Sequence, residues 1–292
     1  MKKEELLKNF LNHQKIFNSK SEHTVKAYSL DISQFLNFLE DEIKNVQLSH
    51  LRSFLSYLSL KGIAQRSINR KLSSLKTFFE FLAYQGFIKK DPTLLLKGPK
   101  FSKPLPEILS IEEIDNIISV IKEDSFQDLR NKSIIYLLYS SGLRAAELIS
   151  LKENDISFSR EELRIIGKGN VERIAFFDKK AKSILLKYLP LKKKLFKSEY
   201  IFINKFGEQL SDRYLRKTIN ELTKKAKISK KVSPHTFRHS FATLLLNKGV
   251  SLKAIQELLG HASISSTQVY THVSKEELRK CYIKYGPFMD GK

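Results

Sequence analysis

Through the first 97 residues, apolar side chains recur three and four positions apart, a period that gathers them on one face of successive helices. After Ser21, a residue suited to cap a helix, Val25, Tyr28, Ile32, Phe35, Leu36 and Leu39 form one stripe. A second stripe, Leu51, Phe54, Leu55 and Leu58, follows Ser49 and stops at Gly62; a third, Ile68, Leu72, Leu75, Phe79 and Leu82, stops at Gly86. Glycine closes a helix because it reaches the left-handed conformation without steric penalty. With a further helix over about residues 3–16, the pattern predicts a four-helix module over 1–97.

The pattern then breaks. Lys97-Gly-Pro-Lys-Phe-Ser-Lys-Pro-Leu-Pro106 holds three prolines, a glycine and three lysines, a composition that favours an extended, basic linker over 98–108. Ser110-Ile-Glu-Glu113 spells a capping box, so a new helix opens a second domain over 109–292. Helical spacing continues to about Asn154. Leu163-Arg-Ile-Ile and Val171-Glu-Arg-Ile-Ala-Phe-Phe flank Gly167-Lys-Gly-Asn as a β-hairpin, and helices resume after Asp178. Ser233-Pro234 reads as N-cap and first helical residue, Gly260 as a helix end, and Leu278, Cys281, Tyr282 and Tyr285 as a last stripe that Gly286-Pro287 ends. The expected fold is mainly α in two domains, the second carrying a small β-hairpin or sheet.

Charge changes this picture from fold to partner. The formal charge is +21, from 52 Lys+Arg against 31 Asp+Glu, which points to a polyanion such as nucleic acid. An anionic membrane surface would attract the same charge, but the chain has no uninterrupted apolar run of spanning length and no lipidation motif. Cys281 is the only cysteine, which excludes an internal disulfide, fits a cytoplasmic address and suits a packed small residue in its helical stripe. The first ten residues mix acids into their apolar positions and lack a signal-peptide core, so they are expected to be retained. On the polar face of the third stripe lie Arg66, Arg70, Lys71 and Lys76 with serines between them, a face able to bond phosphates and base edges in a major groove or simply to be solvated.

The chemistry gathers in four segments over about 130 residues: Ser141-Gly-Leu-Arg144-Ala-Ala-Glu147-Leu, Gly167-Lys168-Gly169-Asn170, His235-Thr-Phe-Arg238-His-Ser, and Leu258-Leu-Gly-His261 through Tyr270-Thr-His272. Two arginines offer permanently charged, planar donor forks for the non-bridging oxygens of a phosphodiester, and so for the charge of a pentavalent transition state. Arg144 also stands three positions before Glu147, close enough for an ion pair. His235 and Arg238 share one face of an opening helix, where free amides favour phosphate. Tyr270 is the candidate nucleophile; forming its phenolate at neutral pH costs roughly 4 kcal/mol, so a base or positive field must lie close by. Lys168, between two glycines at the hairpin tip, can approach a DNA strand and protonate a leaving 5′ oxygen as general acid. No ATP site is implied, because the phosphate-loop spacing is absent. His235 and His239 have the spacing of zinc ligands, but position 236 is Thr where the zinc protease pattern has Glu, and Arg238 between them repels a cation. No metal or other cofactor is expected.

In order and content these segments resemble the tyrosine recombinases of the lambda-integrase superfamily, most closely the Xer type. The resemblance implies an N-terminal SAM-like core-binding domain and a C-terminal catalytic domain. It gives His235 the role of proton acceptor from Tyr270, His261 that of hydrogen-bond donor to the phosphate, and Glu147 that of orienting Arg144 without touching substrate. It further implies a covalent 3′-phosphotyrosyl intermediate, and a homo- or hetero-tetramer on a double-stranded DNA site that exchanges its C-terminal helix, about 275–286, between subunits. A possible accessory activator protein, a nucleoid-associated location and the task of resolving chromosome dimers at cell division follow from the same source. The chain departs from the common Xer ending, with Tyr285-Gly-Pro-Phe in place of His-Pro. A mobile-element integrase and a type IB topoisomerase share the chemistry; a DNA-binding regulator that never cuts explains the charge but not the spaced Arg, Lys, His, Arg, His and Tyr.

Overall fold

The computed structural model describes residues 3–18, 20–99, 107–167, 172–260 and 274–287, and the chain divides into two compact units, 1–104 and 105–292.

Among the described residues the first unit holds four α-helices, α1 (Lys3–Ile16), α2 (Glu22–Phe38), α3 (Leu48–Leu60) and α4 (Gln65–Tyr84). Ser21 caps α2 by accepting the Thr24 amide, as its position suggests. Gly62 and Gly86, at φ of 72° and 74°, end α3 and α4. The α3 cap is Gln47, two residues before the serine that the sequence singles out. Phe10, Phe35, Phe54, Phe78 and Phe79 are all fully buried, and rings from different helices meet edge-on, Phe10 with Phe78 at 5.3 Å and Phe35 with Phe54 at 5.2 Å. Such edge-to-face contacts add to what area burial supplies.

The second unit is built around α6 (Phe126–Ser141), which is buried along most of its surface and keeps only a short partly exposed polar side, Gln127, Asp128, Asn131 and Lys132, in its first half. Around it stand α5 (Ile111–Ser119), α7 (Ala145–Ser150), α8 (Lys179–Leu195), α9 (Asp212–Lys225), α10 (Pro234–Asn247), α11 (Leu252–Leu259) and α12 (Lys275–Tyr285). The capping box opens α5 as its sequence spells, Ser110 Oγ accepting the Glu113 amide and Glu113 accepting the Ser110 amide. A three-stranded antiparallel sheet, β1 (Ile156–Ser157), β2 (Glu162–Ile166) and β3 (Glu172–Phe176), is ordered β1-β2-β3. The hairpin pairs Leu163 with Ala175 and Ile165 with Arg173. The last helix, α12, packs on its own unit: Tyr282 is 2% exposed, its ring lies 5.5 Å from Phe176, and its hydroxyl donates to the Ser140 carbonyl. Cys281 is half-buried on the same helix, and burial pushes its thiol pKa up, away from reactivity.

Candidate active site

Arg144 is not inside a helix. Gly142, at φ 60°, ends α6, and Arg144 stands at the N-cap of α7. In that position its backbone amide donates to Glu147 Oε2 at 2.8 Å and its guanidinium donates to Glu147 Oε1 at 2.7 Å. One carboxylate thereby fixes both the backbone and the side chain of the arginine, whose side chain stays 43% exposed.

Ser233 caps α10 with Pro234 in its first turn, so Arg238 falls one turn in and points inward, with only 6% of its side chain exposed. Its two terminal nitrogens donate to the carbonyls of Gly142 at 2.7 Å and Leu259 at 2.6 Å, and Nη1 lies 3.9 Å from Glu147 Oε2. Arg144 and Arg238, 94 positions apart in sequence, thus share one acid. Burial, then the neighbouring charge of Arg144, brings the Arg238 pKa down to about 10, still cationic at neutral pH.

A third arginine completes the group, and sequence reasoning missed it. Arg173 on β3 donates to Glu147 Oε2 at 2.7 Å and to the Leu258 carbonyl at 3.2 Å, with 11% of its side chain exposed. The signal was present in strand parity. Arg173 pairs with Ile165, and Ala175 with Leu163; these three apolar partners are buried, so an arginine in this register lies on the core face. Arg144 also donates to the Gly260 carbonyl at 3.0 Å. Three arginines from three elements therefore bond three successive carbonyls, 258, 259 and 260, at the end of α11. Cations are favoured there by the helix dipole.

Burial pushes the Glu147 carboxyl up, but the charge of Arg173 and the amide and guanidinium of Arg144 outweigh it and hold the group below the usual carboxylate range. His235 is exposed on the first turn of α10. Partial burial, then the charges of His239, Arg238, Arg144 and Arg216, lowers its pKa and keeps the ring neutral near pH 7, the form that accepts a proton. Lys168, His261 and Tyr270 lie outside the described residues; Gly167 and Gly260 precede the first two in sequence. Among the described residues no three His, Cys, Asp or Glu side chains gather to hold a metal ion.

On α4 of the first unit, Arg66 and Lys76 are exposed, whereas Arg70 and Lys71 converge on the fully buried Asp31 of α2. Lys71 Nζ lies 3.0 Å from Asp31 Oδ1 and its side chain is 12% exposed; Ser74 Oγ donates to Asp31 at 2.8 Å. Asp31 thus neutralises part of this basic face.

The model of the phage integrase family matches residues 107–277, and that of the phage integrase N-terminal SAM-like domain matches residues 7–86. The chain therefore belongs to the phage integrase family, the tyrosine recombinases, whose members are site-specific DNA recombinases. Within that family it is similar to Xer proteins. The tyrosine recombinase XerC of Thermodesulfovibrio yellowstonii is 40% identical over 286 residues, which cover 96% of this chain and 95% of that protein. The tyrosine recombinase XerD of Listeria monocytogenes serotype 4b is 33% identical, covering 97% of this chain and 99% of that one. The solved structure of XerH bound to its difH substrate in a pre-cleavage complex shares the fold, with a TM-score of 0.69 at 24% identity, covering 97% of this chain and 84% of that chain. No described helix is long and apolar enough to cross a membrane.

Proposed function

We propose that the chain cuts and rejoins a double-stranded DNA site with Tyr270 as nucleophile, and that its task is to resolve chromosome dimers before cell division. Arg144 and Arg238 grip the non-bridging oxygens of the scissile phosphate and stabilise the charge that builds there. His235 takes the phenolic proton, His261 donates a further hydrogen bond, and Lys168 protonates the leaving 5′ oxygen. The bond energy stays in a 3′-phosphotyrosyl ester, so the 5′ hydroxyl of a partner strand can attack it and be joined without a nucleotide cofactor. Four subunits, alike or of two kinds, exchange strands in pairs on two duplexes; the last helix, which packs on its own unit in the single chain, leaves that seat to pass from one subunit to the next. Both units contact DNA, the first through α4, and the protein works in the cytoplasm on the nucleoid, with an accessory activator as a further partner.

What supports this assignment above all is the convergence of Arg144 and Arg238 on Glu147, next to the exposed and neutral His235. The similarity to XerC and XerD over nearly the whole chain favours dimer resolution over the mobile-element alternative.

The test is covalent capture. The protein is incubated with a library of nicked random-sequence duplexes, and DNA that survives denaturation on the protein is sequenced. One recurring site is expected for the native chain and no adduct for Tyr270→Phe, which should still shift that site in a native gel. An adduct of undiminished yield from Tyr270→Phe would show that another residue attacks.

A further inference from the structure

Arg173 has no part in the chemistry assigned above, and its burial keeps it from DNA. It is nevertheless held at both terminal nitrogens. Its Nη2 donates to Glu147 and its Nη1 to the Leu258 carbonyl, while a Cβ at Gly260 would stand 2.4 Å from its Cδ and 2.6 Å from its Nε. The absence of a side chain at Gly260 is what lets the arginine stem pass the end of α11. Of the three Arg173 guanidinium nitrogens, Nε alone has no hydrogen-bond partner among the described residues.

These contacts form a chain of dependence. Arg144 takes its direction from Glu147, by two bonds, and from the Gly260 carbonyl. Arg173 holds both of those supports, the acid directly and the end of α11 through Leu258. Arg238 braces the same helix end through Leu259. We propose that Arg173 is a positioning residue for strand cleavage: by tying the hairpin strand to Glu147 and to the last turn of α11, it sets the direction in which Arg144 meets the scissile phosphate. The proposal rests on the assignment of Arg144 as a phosphate ligand, and it extends that site to a residue that touches no substrate.

A guanidinium does this because its planar fork presents two separate nitrogens to two acceptors in fixed directions; an ammonium has one. Glu147 is faced by Arg144 from α7, Arg173 from β3 and Arg238 from α10. With Arg173 gone, the burial that pushes the Glu147 carboxyl up loses the largest charge opposing it. The acid then takes up a proton at higher pH, and protonation releases its grip on Arg144.

The experiment uses the full-length protein and a short nicked duplex carrying the captured site, with single-turnover cleavage and binding measured separately. Arg173→Ala is expected to slow cleavage about a hundredfold, the effect of misplacing a reacting group by about 1 Å, while Kd changes less than about threefold. Its rate should also fall off at a higher pH on the acid side than that of the native enzyme, which a merely loosened fold does not produce. In a Glu147→Gln background the same substitution should cost about tenfold or less, because one of the two supports it acts through is already lost. Cleavage by Arg173→Ala within about threefold of native, a loss matched by weaker binding, or an undiminished factor in the Glu147→Gln background would each overturn the proposal. If the alanine protein does not fold, Arg173→Lys, which keeps the charge beside Glu147 but not the fork, should show a loss of about tenfold with binding little changed and a smaller loss in the Glu147→Gln background, but without the acid-side shift. Arg144→Ala is run alongside. Native cleavage by that variant would defeat the phosphate assignment itself, whereas a dead Arg144→Ala beside an unimpaired Arg173→Ala defeats only the role of Arg173.

Discussion

Glu147→Gln is the sharpest perturbation of the site that leaves its shape unchanged. The carboxylate is 6% exposed and receives charged bonds from Arg144 and Arg173 at 2.7 Å each, with Arg238 at 3.9 Å. Removing one partner of a buried ion pair costs about 3–5 kcal/mol, because the other charge stays buried without compensation. The pair with Arg144 counts for little here, since that arginine is 43% exposed and solvent screens it. The pair with Arg173, at 11% exposure, accounts for most of the cost. Glutamine keeps one acceptor oxygen, so the lower end, about 3 kcal/mol, is expected. For a domain of this size that lowers Tm by roughly 6–12 °C. The measurement is thermal unfolding followed by circular dichroism across a pH series. Because the native Glu147 pKa is depressed, its contribution is fully present above the usual carboxylate value and is lost as pH falls through the folded value. The native protein should therefore lose its advantage over the glutamine variant toward acid. Equal Tm values at neutral pH would refute the reasoning, and would mean that the carbonyls of residues 142, 258, 259 and 260 satisfy the three guanidinium groups without the acid.

Two further substitutions test the supports of the site. Gly142→Ala forces a side chain into a φ of 60° and brings its Cβ to 2.6 Å from Phe241 Cδ1 and 2.8 Å from Leu259 Cδ2; a loss of about 2–5 kcal/mol is expected in urea unfolding. Asp178 caps α8 by accepting the Ala181 amide at 2.7 Å, and burial raises its carboxyl pKa to about 6, against the pull of that amide. Stability therefore falls as pH rises from about 4, where the unfolded carboxyl ionises, through about 6, and stays lower above. Asp178→Asn keeps the cap without the charge, and should be more stable than native by about 1–3 kcal/mol at pH 8 but not at pH 4; a less stable variant at pH 8 would mean that the ionised form is well paired.

Helix ends were the most legible part of this chain, because each is written in one or two residues: Ser21, the Ser110–Glu113 box, Ser233-Pro234, Gly62, Gly86 and Gly260 all stand where their chemistry suggests. The two-residue strand β1 was not legible, since two positions cannot show alternation. Arg144 and Glu147 were read as partners from their spacing, but not the N-cap geometry that joins them, which depends on the break at Gly142. Arg70 and Lys71 look alike on the polar face of α4; that both meet Asp31 depends on how α2 packs against α4, which no local pattern encodes. Strand parity places Arg173 on the core face, but its acid lies 26 positions earlier in the chain and no local pattern encodes that pairing.

Arg238 joins the carbonyl that ends α6 to one in the last turn of α11. A substitution there removes a strut along with a charge, so a protein altered at Arg238 reports on a loosened fold as much as on lost chemistry. The same double duty narrows the mutational routes open to the chain. Lysine would preserve the charge while reaching only one of the two helix ends, which leaves no single-step neighbour that keeps both.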